Sequence, residues 1–449
     1  MRNQPALVQG GRYRGRSGTA PLESRPTQAR GVRPAWFTKR LTADGYATYG
    51  AIAATVLSVL LAIRFSEIVP AIAALRPVIA ATVLCGGYLL TQSRMDVIER
   101  TVKDPIMTAL FVYVLMGIIG VPFALFKAQS FESLTSLFYG LLLTGSILLI
   151  PPTRKALDRF TTINVGAAQL VSAVWILIGQ DKRGNGRLTS SGSYDPNDLG
   201  AMMCLFLPLA FGMMVRGPVW RRLLGAASAG TFMLMIVETS SRGALVGFAV
   251  IMLTLLLTMR PGKAILTLVV AVPLLVGGWL IAPAQFKDRA ASLQTVDEDY
   301  NATTETGRVA IWKRSWSHFS SSPIVGVGVG NYSVAEGNYF QSIGKTAAWF
   351  TAHNTYIQAF IEFGFFGGCA LIFAVSGAAR GAFNAARWSI DGRPNPFHRP
   401  EYLAAITGYF SAVFFLSHAI VFLLFAALGI GGLVRNVHKA LAPQAHRRP

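Results

Sequence analysis

Residues 105–126 read PIMTALFVYVLMGIIGVPFALF, from Pro105 to Phe126 without a charged side chain. A helix needs about 20 consecutive apolar residues to cross the hydrocarbon of a bilayer. A surface helix of a soluble protein would carry a polar face, and this run carries none. Outward from it, similar runs recur at Tyr46–Ile63, Pro77–Leu90, Leu134–Ile150, Ile163–Ile178, Leu199–Val215, Leu223–Val237, Gly243–Met259, Ala264–Pro283 and Tyr356–Ser376. A last run, Tyr402–Val434, is too long for one crossing and breaks at Ser417–His418 into two. The sequence therefore predicts an all-α polytopic membrane protein of about twelve transmembrane helices. The alternating ten-residue pattern of a membrane barrel is missing.

Composition agrees. Of 449 residues, 52% are apolar and 14% charged, against about 25% charged in soluble domains. Ordinary soluble architecture, disorder and coiled coil are excluded as readings of the whole chain. Cys85, Cys204 and Cys369 all lie inside apolar runs without metal-ligand spacing and read as small apolar fillers.

The net charge of +20, from 41 Lys+Arg against 21 Asp+Glu, has two readings. A basic excess fits nucleic acid, and it fits basic inner loops of a membrane protein. With the N-terminus inside, 28 of the 41 basic residues fall on the inner side and 13 on the outer. The excess is thus mostly a topology signal, with both termini cytoplasmic and no nucleic-acid partner. Residues 1–45 lack the apolar run of a signal peptide and read as a disordered basic cytoplasmic tail. Residues 46–434 form the transmembrane domain, and 435–449 a second cytoplasmic tail.

One connection is long. Residues 284–352 form an outer loop in which Val309, Trp312, Trp316 and Phe319 recur at helical spacing. That predicts a helix laying an aromatic face on the bilayer or on the bundle, ended by the Gly- and Ser-rich stretch 320–330.

The polar groups suited to chemistry gather on the outer side. Arg242 stands in the short loop Glu238-Thr-Ser-Ser-Arg-Gly243, against the basic-inside trend. It reads as an anchor reaching lipid headgroups or as a guanidinium able to grip phosphate oxygens with paired hydrogen bonds. Arg308 opens the loop helix and reads as a solvated charge or a second phosphate clamp near a helix N-terminus. His353, in Ala352-His-Asn-Thr-Tyr356, precedes a membrane helix whose N-terminus disfavours imidazolium. It reads as an interface histidine or as a neutral general base. Glu362, nine residues on, falls half a turn from His353's face. It reads as a hydrogen-bonded strut or as a functional group at membrane depth. The glycines at 326, 328 and 330 look like a phosphate cradle but lack its strand–turn–helix frame. Asp297-Glu-Asp299 reads as a solvated charge run. No HExxH metal motif occurs.

The segment His353-Asn-Thr-Tyr-Ile-Gln-Ala-Phe-Ile-Glu-Phe-Gly-Phe-Phe-Gly367 resembles the HNxYLQxLxExGxxG pattern of the O-antigen ligase and O-antigen or exopolysaccharide polymerase superfamily. Ser240-Ser-Arg-Gly243, Gly307-Arg308 with Trp312, Pro323–Asn331, and Asn197 in Asp195-Pro-Asn-Asp198 are similar to its other segments. The resemblance covers about residues 46–434 and implies a GT-C-like glycosyltransferase of the bacterial inner membrane, with residues 284–352 as a large helical periplasmic loop. It implies a donor glycan on undecaprenyl diphosphate and an acceptor hydroxyl on the lipid A core or on a growing polysaccharide. Arg242 and Arg308 would hold the diphosphate, and His353 would orient or deprotonate the acceptor. Asn354 and Tyr356 would join the arginines in binding substrate. No cofactor and no metal are implied. Polymerisation is the close alternative, protein O-glycosylation a further one. A polysaccharide transporter is the alternative of another class, opposed by spans that are nearly free of charge.

Overall fold

A chain in lipid must satisfy its backbone within each segment, so apolar runs of this length fold as helices. The computed structural model describes residues 43–64, 95–178, 187–188, 194–292, 304–390 and 393–445. The expected span Pro77–Leu90, most of the N-terminal tail and Asp297–Asp299 lie outside the described residues.

The helices are α1 (Ala43–Leu61), α2 (Met95–Val102), α3 (Pro105–Gly120), α4 (Lys127–Leu149), α5 (Arg154–Ile178), α6 (Pro196–Met214), α7 (Val219–Thr239), α8 (Arg242–Thr258) and α9 (Pro261–Ile281). They continue with α10 (Ala284–Ala291), α11 (Arg308–Ser321), α12 (Tyr332–Ser342), α13 (Thr355–Ala386), α14 (Pro400–Ala412) and α15 (Phe422–Ala445). Strands of two residues each, Ser389–Ile390 and Arg393–Pro394, form a small hairpin between α13 and α14. Among the described residues, five helices are long and apolar enough to cross a membrane: Pro105–Phe123, Lys127–Leu149, Arg154–Leu177, Pro196–Met214 and Thr355–Ala386. Two further apolar helices, Ala51–Leu61 and Arg242–Thr258, are shorter. This is a helical membrane protein.

The last apolar run breaks where the sequence places the break, between α14 and α15 around Ser417–His418. Several expected boundaries move: α4 starts at Lys127 rather than Leu134, and α5 at Arg154 rather than Ile163. α13 runs ten residues beyond Ser376, and α15 continues past Val434 to Ala445, so the tail expected from residue 435 begins as helix.

α6 is buried almost throughout and forms the middle of the bundle with α14. α6, α8 and α14 meet through small residues. A Cβ on Gly247 would stand 2.8 Å from both Cys204 Sγ and the Gly408 carbonyl oxygen, and one on Gly200 would stand 2.7 Å from Ala244 Cβ. Such positions let helix backbones approach closely without a hydrophobic driving force between them. α13 packs along α3, α14 and α15.

At one end of the bundle, here the lower end, buried charges pair across helices. Glu401 takes Arg216 at 2.5 Å and Arg399 at 3.4 Å, and Asp158 takes Arg399 at 3.1 Å and Arg221 at 3.3 Å. Arg435 pairs with Asp104. Some of the basic residues counted above as topology signals are thus also structural, tying α5, α6, α7 and α14 together.

α13 is broken inside. Gly364 has φ 69° and ψ −173°, a conformation essentially confined to glycine. The break releases two backbone groups, and the chain from Pro323 to Asn331 takes both. Val327 N–H donates to the Ile361 carbonyl at 2.8 Å, and Phe365 N–H donates to the Pro323 carbonyl at 2.8 Å. Glu362 completes the junction, accepting from Gly330 N–H at 3.0 Å, Tyr332 N–H at 3.2 Å and Gln358 Nε2 at 3.2 Å. Glu362 is therefore a strut from helix to loop. The glycines at 326, 328 and 330, which look like a cradle in the sequence, instead permit close packing. Cβ atoms there would fall 2.5 Å from the Glu362 carbonyl oxygen, 2.4 Å from Ala124 Cβ and 2.3 Å from Ser133 Oγ.

Gly364→Ala should lower stability by on the order of 3 kcal/mol, because its Cβ would stand 2.1 Å from the Ile324 carbonyl oxygen. The readout is the thermal midpoint in detergent together with proteolysis at residues 322–331. Gly377→Ala, on the same helix with Ile106 Cγ1 at 3.3 Å, should leave both unchanged.

Candidate active site

The other end of the bundle, the upper end, collects the starts of α6, α8 and α13 and the α14–α15 turn. Each start has a side-chain cap. Asp195 caps α6 in a reciprocal box with Asp198, Ser241 caps α8, and Asn354 caps α13 by accepting from the N–H groups of Tyr356 and Ile357. Among the described residues, the non-glycine positions with positive φ are Arg64, Ser240 and His353. Such backbone is uncommon outside glycine and clusters where a site over-determines it.

Arg242 is the first residue of α8. The left-handed Ser240 ends α7 and turns the chain by two residues into α8, so Arg242 projects at this end. Its Nη1 reaches Ser292 Oγ at 3.3 Å. Gly243 beside it packs on the α14–α15 turn, where a Cβ would stand 3.5 Å from Phe415 Cβ. Arg308 is the first residue of α11, and its guanidinium lies 6.0 Å over the Phe415 ring. Arg308 and the residue after Arg242 in the chain, Gly243, thus meet the same phenylalanine.

His353 comes to the same place. Its backbone N–H donates to Ser417 Oγ at 2.9 Å, two residues from Phe415, and its Nε2 lies 3.4 Å from Thr351 Oγ1. Burial pushes the imidazole below its usual value of 6.5, and the Arg308 guanidinium pushes it the same way. The carboxylates of Asp195 and Asp198 pull it part of the way back. The ring is therefore neutral at neutral pH and feels one cation and two anions. Asn354 and Tyr356 are directed to backbone. Asn354 is spent on its cap, and the Tyr356 hydroxyl donates to the Phe410 carbonyl at 3.2 Å. Both hold the helix start beneath His353.

Four residues at this end escape a reading of the sequence. Arg187 donates through Nε to the Thr239 carbonyl and through Nη2 to Asn197 Oδ1, each at 2.9 Å, joining the end of α7 to the start of α6. Asp198 meets His418 Nε2 at 2.8 Å, and His418 Nδ1 meets the Tyr409 hydroxyl at 3.0 Å. The signal for Asp198 was its capping spacing. His418 reads in sequence only as a turn residue, because its partners lie on other helices.

The loop helices that present Arg308 are locked by a buried acid. Glu336 of α12 takes a double contact from Arg314, with Nη2 at 2.7 Å, and His318 Nε2 at 2.9 Å. The buried face of α11 is Ile311, Ser315 and His318. The expected aromatic stripe divides. Trp312 and Phe319 pack on Phe414 and Phe360 of the bundle, whereas Trp316 and Val309 remain exposed. Polar partners on α12 won the inner face from the aromatic residues.

Residues 223–372 match the family model described as O-Antigen ligase. This stretch belongs to the O-antigen ligase family. The O-antigen ligase segment runs from α7 into α13 and contains Arg242, Arg308, His353, Asn354, Tyr356 and Glu362. Arg187, Asp198, Tyr409 and His418 stand outside it. No curated protein matches the chain.

Glu336 gives a pH test of the lock. Burial alone would raise its carboxyl, but His318 and Arg314 hold it below its usual 4.5. A depressed carboxyl contributes stability that is full above its unfolded value and lost as pH falls through the folded value. Hydrogen exchange across residues 308–342 should therefore stay slow at pH 6 and rise only below pH 4.5. In Glu336→Gln it should be fast at both.

Proposed function

We propose that the protein is a glycosyltransferase of the O-antigen ligase type, working at the periplasmic face of a bacterial inner membrane. It moves a glycan from undecaprenyl diphosphate to an acceptor hydroxyl on the lipid A core. The observation that carries this reading is that Arg308 and His353 contact Phe415 and Ser417 of one turn, where Gly243, next to Arg242, also packs. Membership of residues 223–372 in the O-antigen ligase family supports it.

The chemistry follows from charge. When the anomeric C–O bond breaks, its electron pair leaves with the diphosphate, and negative charge grows there. Cations fixed beforehand at that point stabilise the transition state more than the ground state. Arg242 and Arg308 each open a helix, so the partial positive charge of two helix N-termini adds to two guanidinium groups. The proton of the acceptor hydroxyl goes to the neutral imidazole of His353 as the acceptor oxygen bonds to the anomeric carbon. The polyprenyl chain stays in lipid. In this scheme the arginines supply the charge that a metal would supply elsewhere, and no cofactor enters.

The second product class, polymerised repeats of O-antigen or exopolysaccharide, uses the same donor chemistry with a different acceptor. Deletion of the gene separates the two. Loss of long chains from the lipid A core with lipid-linked chains accumulating is the ligase outcome. Single repeats left on the lipid carrier would make it a polymerase.

Arg242→Ala, Arg308→Ala and His353→Ala should each reduce transfer by about 100-fold or more with membrane insertion and thermal midpoint intact. A fully active His353→Ala protein would sink the mechanism. Transfer should persist in chelator. Because a base must be neutral and the His353 value lies below 6.5, the rate should be flat through pH 7 and fall with acid only below pH 6.5.

A further inference from the structure

Consecutive residues of the α14–α15 turn hold two different parts of the site. Ser417 Oγ accepts the backbone N–H of His353 at 2.9 Å, and the ring of His418 holds Asp198 at 2.8 Å. The junction is tied once more, since His418 N–H donates to Thr355 Oγ1 at 3.0 Å and that hydroxyl donates to the Leu416 carbonyl at 2.8 Å. His418 is 1% exposed, whereas the Asp198 side chain is 23% exposed. A carboxylate only accepts hydrogen bonds, so His418 Nε2 carries a hydrogen, and the Tyr409 hydroxyl closes the chain at Nδ1. The backbone N–H of Asp195 binds the other oxygen of Asp198 at 3.1 Å. The carboxylate is thus fixed on both oxygens from the buried side.

We propose that Asp198, anchored by the buried His418–Tyr409 pair, is the positioning counter-charge for the imidazolium that His353 becomes on taking the acceptor's proton. The inference rests on the transfer reaction proposed above and adds a residue outside the family segment. The proton moves from the acceptor hydroxyl to the His353 ring and no farther. Asp198 stays a carboxylate and stabilises the cation electrostatically, as the acid of a hydrolase triad does. The need for it is physical. Arg308 suits a leaving diphosphate but opposes a second positive charge on His353 beside it. A fixed anion held by the residue next to the one that binds His353 relieves that conflict. The charged groups facing His353 are Arg308 from the start of α11 and Asp195 and Asp198 from the start of α6. Thr351 contributes a hydroxyl.

The test is Asp198→Asn, which keeps the size and an oxygen for the Asp195 N–H but removes the charge. The acid limb of the transfer rate should move to lower pH by about half a unit or more. The plateau rate should fall by about 10-fold or more, with KM for the lipid-linked donor unchanged. Carbethoxylation of His353, followed against pH by peptide mass spectrometry, should shift the same way, and it reads the ring without any turnover. An acid limb and a carbethoxylation profile at the wild-type pH would overturn the proposal, as would a raised donor KM with an unmoved limb. If Asp198→Asn does not fold, His418→Gln loosens the carboxylate instead and should move both profiles in the same direction by less. Unmoved profiles there overturn it too. A wild-type protein that transfers no glycan would sink the function proposed above, while the carbethoxylation shift would still report the Asp198–His353 pairing.

Discussion

A hydrogen bond missing from the inside of α13 organises the upper end of the molecule. In an unbroken helix, Phe365 N–H would bond to the Ile361 carbonyl. Gly364 turns the backbone away, and the loop at 323–327 supplies both replacement partners. Buried backbone groups must find partners, especially in an apolar surrounding, so loop and helix become one unit. Glu362 adds a carboxyl acceptor for two loop N–H groups. The same segment is held on its far side by the α3–α4 turn, where Leu125 N–H bonds the Val327 carbonyl and Asn331 Oδ1 accepts from Phe126 N–H. A loop clamped between two helical elements can carry α11 and α12 rigidly. It thereby brings Arg308 to a site whose other groups come from the bundle.

The two ends of the bundle solve the problem of buried charge differently. At the lower end Asp158 and Glu401 each gather two arginines, and the result is cross-bracing between helix ends. Pairs of this kind are costly to break and contribute little by replacement value. They fix which helix sits beside which. At the upper end the anions Asp195 and Asp198 cap α6 while facing His353. One pair of carboxylates satisfies a helix end and sets the charge around a neighbouring ring.

Much of this was readable in the sequence, for a definite reason. Spans, the break at Ser417–His418 and the loop helix from Arg308 depend on runs and periods, which are local. Arg242, Arg308 and His353 stand out as candidates because each lies at a helix boundary next to a recognisable segment. What escaped is what tertiary contact decides. His418 gains its meaning from Asp198, 220 positions away, and from Tyr409 on a separate helix. Arg187 gains its meaning from the end of α7. The glycines of 326–330 were rightly discounted as a cradle, but their packing role was not legible, because positive φ values suit an anion cradle and a close-packed plug equally well. Only the neighbours at the missing Cβ positions tell the two apart. The aromatic stripe of α11 was readable in part: Trp312 and Phe319 pack on the bundle, but periodicity gives no sign that Glu336 draws His318 inward.

The small residues between α6, α8 and α14 explain how groups from three helices can be held in register. Gly200 and Cys204, Gly243 and Gly247, and Gly408 and Ala412 are each one turn apart, and they interlock at contact distance. Asp198 lies two residues before the first pair, Arg242 directly precedes the second, and the turn bearing His418 follows the third. Pushing any of these helices outward by a methyl's width would shift the start of α6, the start of α8 and the α14–α15 turn relative to one another. Electrostatic stabilisation depends on groups already in place before charge develops. In a bilayer, where no hydrophobic force presses helices together, that precision has to come from the packing of backbone on backbone. The glycines of this seam are therefore as much a part of the site as the charges they position.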